Sequence, residues 1–126
     1  MSIGVELEEL RTQAEGFPGD AFLVTVSDDG RPHTVAVRPQ WDGDALTVPA
    51  GRTTSSNVAS RPLVALLWPP PAVGEYSLIV DAEARAGDDG EVVLHPTRAV
   101  LHRPAPSGVG SDCQPVFSSE RSGERV

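Results

Sequence analysis

Residues 50–62 read AGRTTSSNVASRP, a polar stretch that separates two apolar runs of the chain. Thr53, Thr54 and Ser55 are residue types that commonly cap the N-terminus of a helix, so a short helix is expected to follow them. The unpaired amides of a helix N-terminus also attract anions, and Arg52 would add a positive charge there. The residues alone favour a simple capped turn, but a phosphate cradle remains the open alternative.

The chain before this stretch predicts three short strands joined by tight turns. AFLVTV is apolar on both faces, HTVAVRPQW alternates between apolar and polar residues, and ALTV is a third β-forming run. Asp-Asp-Gly and Asp-Gly-Asp triplets between these runs supply turns that favour hairpins. Residues 20–49 therefore predict a meander of three antiparallel strands.

The chain after the stretch predicts three further strands, at 63–68, 76–86 and 91–103. Pro96 has no amide to donate to a strand ladder, so the last strand is expected to be broken, bulged or at an edge. Leucines at helical spacing near the N-terminus predict an amphipathic helix over 4–15. Together these elements predict a mainly β fold: a six-stranded antiparallel barrel with a short N-terminal helix and a short helix between strands 3 and 4.

The barrel and its first helix are expected to form one domain over residues 1–103. Beyond it the chain is rich in Pro, Gly, Ser and Arg, which predicts a flexible tail over 104–126. The alternative is a dimer arm that packs on a partner subunit through Val116 and Phe117. Because AFLVTV and LVALLW are apolar on both faces, a homodimer is expected.

Composition argues against several function classes. The 126 residues carry a formal charge of −8 and no lysine, which disfavours binding to nucleic acid or to an anionic membrane. The single cysteine, Cys113, allows no internal disulfide. Because neither a signal-peptide pattern nor an apolar run of membrane length occurs, a cytoplasmic protein is expected. No nucleophile elbow, P-loop or dinucleotide-binding glycine motif supports a hydrolase or a nucleotidyl transferase.

Histidine and tryptophan give weaker signals. His95 and His102 are seven residues apart on one predicted strand, so they are expected on opposite faces, and no metal site is predicted. Trp41 and Trp68 each end a predicted strand, and packing is the favoured role for both.

Four segments follow one another in the order FLVTVSDDGRPHTVAV, WDGDALTV, SSNVASRPLVALLWPP and YSLIVDAEA. This order resembles that of the pyridoxamine 5′-phosphate oxidase-like split-barrel family over about residues 15–103. Proteins of that family bind flavin mononucleotide (FMN) or the deazaflavin coenzyme F420. The resemblance implies a six-stranded split barrel and a homodimer with two cofactor sites at the subunit interface.

The resemblance also implies which residues would hold a cofactor. The oxidase branch grips the cofactor phosphate with an arginine–lysine pair; Thr53 and Thr54 occupy those positions here, and Arg52 stands one residue earlier. The nearest matches to the basic residues of that branch's second strand are His33 and Arg38. The candidate cofactor-binding residues are therefore His33, Arg38, Arg52, Thr53, Thr54, Ser55 and Asn57.

The leading functional hypothesis is a flavin- or deazaflavin-dependent oxidoreductase, although no catalytic residue can be named. In such proteins the cofactor ring carries the electrons while the protein binds and orients it. The absence of lysine supports a rival hypothesis, a cofactor-less split-barrel dimer that binds another small ligand. A second rival is a haem-handling relative, whose axial ligand would be His33, His95 or His102.

Overall fold

The computed structural model describes residues 1–105 and consists of one curled antiparallel sheet and two helices. The predicted tail residues Cys113, Val116 and Phe117 lie outside the described residues. The elements in chain order are β1 (Ser2–Val5), α1 (Leu7–Ala14), β2 (Ala21–Val26), β3 (Pro32–Val37), β4 (Gln40–Asp42), β5 (Ala45–Pro49), α2 (Arg52–Ser60), β6 (Leu63–Trp68), β7 (Ser77–Ala86) and β8 (Glu91–His102).

The prediction of a mainly β antiparallel fold is confirmed, but the count of six strands was wrong, because the described chain forms eight. One extra strand is β1, which pairs with the second half of β8. The other arises because Arg38-Pro39 divides the strand expected over 33–41 into β3 and β4. Proline lacks the amide that a strand ladder needs, so β3 ends before it.

The predicted three-strand meander was also wrong. The sheet order is β3-β2-β6-β7-β8-β5-β4. β3 pairs with β2, whereas β5 pairs with β4 and with β8. The break at Pro39 therefore carries the chain from one end of the sheet order to the other, as the closing of a barrel-like sheet requires.

Strand β8 contains a β-bulge, and the strand paired with one of its two edges changes there. Asp81 lies opposite Arg98 and Ala82 opposite Pro96, so Thr97 is the extra residue. The Thr97 hydroxyl donates a hydrogen bond to the Asp81 carbonyl at 3.2 Å. On its other side, β8 pairs with β5 before the bulge and with β1 after it. Pro96 led us to expect a break, a bulge or an edge position in this strand, and the structure shows a bulge at the following residue.

The bulge changes which face two histidines occupy. An extra residue reverses the inward and outward alternation of a strand. His95 pairs with Glu83 and His102 with Ser77, so both histidines lie on the outer face. The prediction that they point to opposite faces was therefore wrong. No cluster of metal-ligating side chains occurs within residues 1–105.

The core lies on the concave face of the sheet, where leucines from five strands are almost fully buried. They are Leu23, Leu46, Leu66, Leu78 and Leu94. Helix α1 adds Leu10 and Ala14 to this core. Neither α1 nor α2 is long and apolar enough to cross a membrane.

The outer face carries a second set of apolar residues. Phe22, Leu67, Ile79 and Val100 lie opposite one another in the strand register and form a single row across β2, β6, β7 and β8. All four are partly exposed. We call these four residues the outer apolar row.

Candidate functional site

The two ends of β6 mark two chemically different ends of the molecule. At the first, which we call the α2 end, β2 ends and β6 begins. Helix α2 directly precedes β6 in the chain and lies at this same end. At the other, which we call the aromatic end, β2 begins and β6 ends at Trp68. The six residues of β6 separate the two ends by roughly 17 Å, at about 3.3 Å per residue.

The N-terminus of α2 has no side-chain cap. Its N-cap residue is Gly51, with φ −77° and ψ −178°, and not one of the predicted hydroxyl residues. The first helical hydrogen bond runs from the Ser55 amide to the Gly51 carbonyl at 3.0 Å. The amides of Arg52, Thr53 and Thr54 come before that bond and have no partner inside the helix. The interpretation of this stretch as a capped turn was therefore wrong.

The side chains of the first turn of α2 divide between solvent and core. Arg52, Thr53 and Ser55 are exposed, whereas Thr54 is buried. The turn contains no acidic residue that would compete for the helix dipole. It therefore offers an anion three helix amides, two hydroxyl groups and one guanidinium.

Acidic residues approach this turn from a neighbouring loop. The Ala50 amide donates to the Gly90 carbonyl at 2.9 Å, which ties the start of α2 to the turn between β7 and β8. That turn carries Asp88 and Asp89, and Glu91 begins β8. These carboxylates lower the local positive potential, whereas Arg52 raises it.

The remainder of α2 is bonded to the end of β2. The buried Asn57 amide donates to the hydroxyl of Thr25 at 3.0 Å and to that of Ser27 at 3.2 Å. Arg61 donates from Nε to the Val26 carbonyl at 2.8 Å and forms an ion pair with Asp28. The Asn57 amide was predicted to reach a cofactor, but here it is engaged with the protein itself.

His33 lies close to this buried polar network. It pairs with Thr25 in the β2–β3 register, so the two side chains share the inner face. Its ring nitrogen Nδ1 is buried and has no hydrogen-bond partner within residues 1–105. His33 is therefore at the α2 end, as the resemblance implies for a cofactor-binding residue.

Arg38 lies at the aromatic end, away from the other candidates. It follows β3, and its Nε and Nη2 donate to Asp20 Oδ1 at 2.9 and 2.8 Å. Arg38 is five positions after His33 in the chain, which corresponds to roughly 17 Å in an extended strand. A single chain therefore does not bring Arg38 together with Arg52.

The two histidines of the outer face have side-chain partners. Arg85 Nε donates to His95 Nε2 at 3.3 Å. His102 Nδ1 and the Ser2 hydroxyl are 3.0 Å apart.

Comparison with solved structures identifies the fold. An F420 reductase matches with a TM-score of 0.57 and 21% identity, over 68% of this chain and 94% of its own. A candidate pyridoxamine 5′-phosphate oxidase from Listeria innocua matches with a TM-score of 0.62 and 20% identity, over 76% and 98%. The FAD-binding protein of Mycobacterium smegmatis gives 0.59 and 17%, over 82% and 100%. The chain has the split-barrel fold of the pyridoxamine 5′-phosphate oxidase-like proteins, as the resemblance implied.

Sequence comparison places the chain in a narrower group. It is 40% identical over 117 residues to the uncharacterized protein Mb0449c of Mycobacterium bovis, covering 80% of this chain and 82% of the relative. The uncharacterized protein MT0457 of Mycobacterium tuberculosis gives the same values. The chain belongs to the family of these two mycobacterial proteins. No family model matches the sequence.

Proposed function

We propose that this protein binds a flavin-type cofactor whose phosphate is held at the N-terminus of α2. The observation that carries the proposal is the uncapped first turn of α2, which has free amides, an exposed Arg52 and no carboxylate of its own. The fold supports the same conclusion, because solved split-barrel relatives include an F420 reductase and an FAD-binding protein.

The donor set of this turn fits a phosphate group. Helix N-terminal amides and the helix dipole favour an anion, and an arginine fork matches phosphate oxygens. Thr53 and Ser55 would donate from their hydroxyls, and Arg52 would supply positive charge in place of the arginine–lysine pair of the oxidase branch. When bound, a flavin or deazaflavin ring would provide hydride transfer, so the protein would act as an oxidoreductase.

Among the other candidates, His33 has the better support. The unpartnered Nδ1 of His33 is a buried donor or acceptor at the α2 end, and a bound polar group would satisfy it. Asn57 remains a predicted contact, although Thr25 and Ser27 already occupy its amide. Arg38 could join a cofactor site at the α2 end only from a second subunit.

Titration of the purified protein with FMN, riboflavin and F420 tests this proposal. One charge-assisted hydrogen bond contributes about 1.5–3 kcal/mol. FMN is therefore expected to bind about 10- to 100-fold more tightly than riboflavin, which lacks the phosphate. Equal affinity would contradict a phosphate cradle. No binding of any flavin would favour the cofactor-less binding module, and a Soret band in the purified protein would favour the haem-handling relative.

We also propose that the protein is a homodimer that pairs through the outer apolar row. Four partly exposed apolar side chains in one row form a contiguous patch, part of which a monomer would leave in water. Light scattering at micromolar concentration is expected to give twice the 13.3 kDa chain mass. Ile79→Arg is expected to give the monomer mass with an unchanged circular dichroism spectrum. A wild-type monomer would contradict the proposal.

A further inference from the structure

Both tryptophans of the chain line one open pocket at the aromatic end. The pocket has a volume of about 350 Å³ and is bounded by Trp41, Trp68 and Phe17. Trp68 is buried at the end of β6, and Trp41 is partly exposed in β4. Strands β4 and β6 are not neighbours in the sheet, yet their tryptophans line the same pocket. Aromatic rings therefore converge on one site even though the chain holds few of them.

A second pocket, of about 490 Å³, adjoins the first. The two share Phe17 and Trp68, and the second adds Phe22 and the three prolines Pro69–Pro71. Four of the five aromatic residues within residues 1–105 thus line these two pockets. Aromatic side chains contact a planar ring by offset stacking or edge to face.

Two arginines stand at the rim of the tryptophan pocket. The guanidinium of Arg11 lies 5.8 Å from the centre of the Trp41 ring, and its Nη1 donates to the Gly43 carbonyl at 3.3 Å. Arg38 uses Nε and Nη2 on a single oxygen of Asp20. Each guanidinium therefore keeps N–H groups that no contact within residues 1–105 occupies.

The rim is not strongly positive overall. Glu15 also lines the pocket, and Asp20 neutralises part of the charge of Arg38. Recognition of an anion here would depend on the geometry of the arginine forks, because long-range attraction is weak. Arginine forks match the two oxygens of a carboxylate.

We propose that the aromatic end binds a planar aromatic carboxylate. The ring would stack among Trp41, Trp68 and Phe17, and the carboxylate would accept hydrogen bonds from Arg38 and Arg11. This site is distinct from the α2 cradle and does not depend on cofactor binding. It shares no residue with the first turn of α2, and the length of β6 separates the two.

Nuclear magnetic resonance of the ¹⁵N-labelled protein tests this proposal, because its two indole N–H signals both report on the pocket. The probes are 2-naphthoate and its uncharged analogue 2-naphthamide. We expect 2-naphthoate to shift both indole signals and to bind at least about fivefold more tightly than the amide, since a charge-assisted contact is lost. The Trp41→Phe variant assigns the two signals.

Variants at the two ends provide the control. Arg38→Gln is expected to weaken 2-naphthoate binding by about fivefold or more and to leave 2-naphthamide binding unchanged. Arg52→Gln at the α2 end is expected to change the affinity for neither 2-naphthoate nor 2-naphthamide. Unmoved indole signals, equal affinity for the acid and the amide, or larger shifts in α2 than in the indoles would each overturn the proposal.

Discussion

The α2 end and the aromatic end use their polar residues in opposite ways. At the α2 end Asn57 and Arg61 serve the fold by bonding to β2, whereas the first turn of α2 and the Nδ1 of His33 keep unused polar groups. At the aromatic end the rings pack on the core, while Arg11 and Arg38 keep spare donors at the surface. Our two proposed sites therefore rest on unused donors and not on a high density of polar residues.

The largest expected effect is a loss of folding stability when the hydrogen bonds between α2 and β2 are removed. Asn57→Ala would remove the amide that Thr25 and Ser27 share and leave the buried Thr25 hydroxyl without it. We expect the free energy of unfolding, measured in urea, to fall by about 2 kcal/mol. The neighbouring exposed Ser56→Ala is expected to change it by less than about 0.5 kcal/mol. Similar small losses for both would mean that the network contributes little.

A second variant separates helix stability from anion binding at the α2 end. Gly51 has an extended backbone that other residues also adopt, and a Cβ atom at this position would meet no atom within 4 Å. Gly51→Asp is expected to stabilise the helix by about 0.5 kcal/mol and to weaken FMN binding about tenfold, because its carboxylate would compete with the phosphate.

Gly51→Asn is the matched control for this variant. It adds a cap of nearly the same size without the charge, so FMN affinity is expected to stay within about threefold of the wild type. If the asparagine and aspartate variants lose affinity for FMN equally, the loss is steric and the electrostatic account of the cradle is wrong. Thermal melts and flavin titrations measure the two effects separately.

The smallest effect is expected from the ion pair at the aromatic end. The Arg38 and Asp20 side chains are 78% and 47% exposed, so solvent screens their attraction. Arg38→Ala is expected to lower the free energy of unfolding by no more than about 0.5 kcal/mol. A loss above about 1 kcal/mol in urea unfolding would show that this arginine serves the fold, in contrast to the spare donor proposed above.

Local pattern was sufficient to predict much of the fold. The runs AFLVTV and LVALLW became β2 and β6 with the expected boundaries, and of the break, bulge or edge position expected from Pro96, a bulge occurs. Predictions of pairing failed where one residue redirected the chain. Pro39 ended β3 and broke the expected meander, and the bulge at Thr97 reversed the faces of the two histidines. Such changes depend on long-range strand pairing, which short-range periodicity does not contain.

The candidate site was predictable only in part. The hydroxyl residues marked the start of α2, but the helix begins at Arg52 with Gly51 as its N-cap. Candidate residues His33 and Arg38 share one strand pattern, yet their spacing puts them at different ends of the sheet. The Thr25–Asn57 bond joins residues 32 positions apart in the chain. One signal for it was present: Thr25 is a polar residue on the inner face of an otherwise apolar strand.

The central claim is that Arg52 recognises the phosphate of a flavin. It is tested most directly by measuring how flavin affinity depends on both the arginine and the phosphate. Dissociation constants for FMN and riboflavin would be measured for the wild type, for Arg52→Ala and for Arg31→Ala. Arg31 is a control because its side chain is 83% exposed in the turn between β2 and β3. We expect Arg52→Ala to weaken FMN about 10- to 100-fold and riboflavin hardly at all, with Arg31→Ala changing neither by more than about twofold. Equal losses for FMN and riboflavin in Arg52→Ala, or no loss for either, would contradict the phosphate cradle at α2.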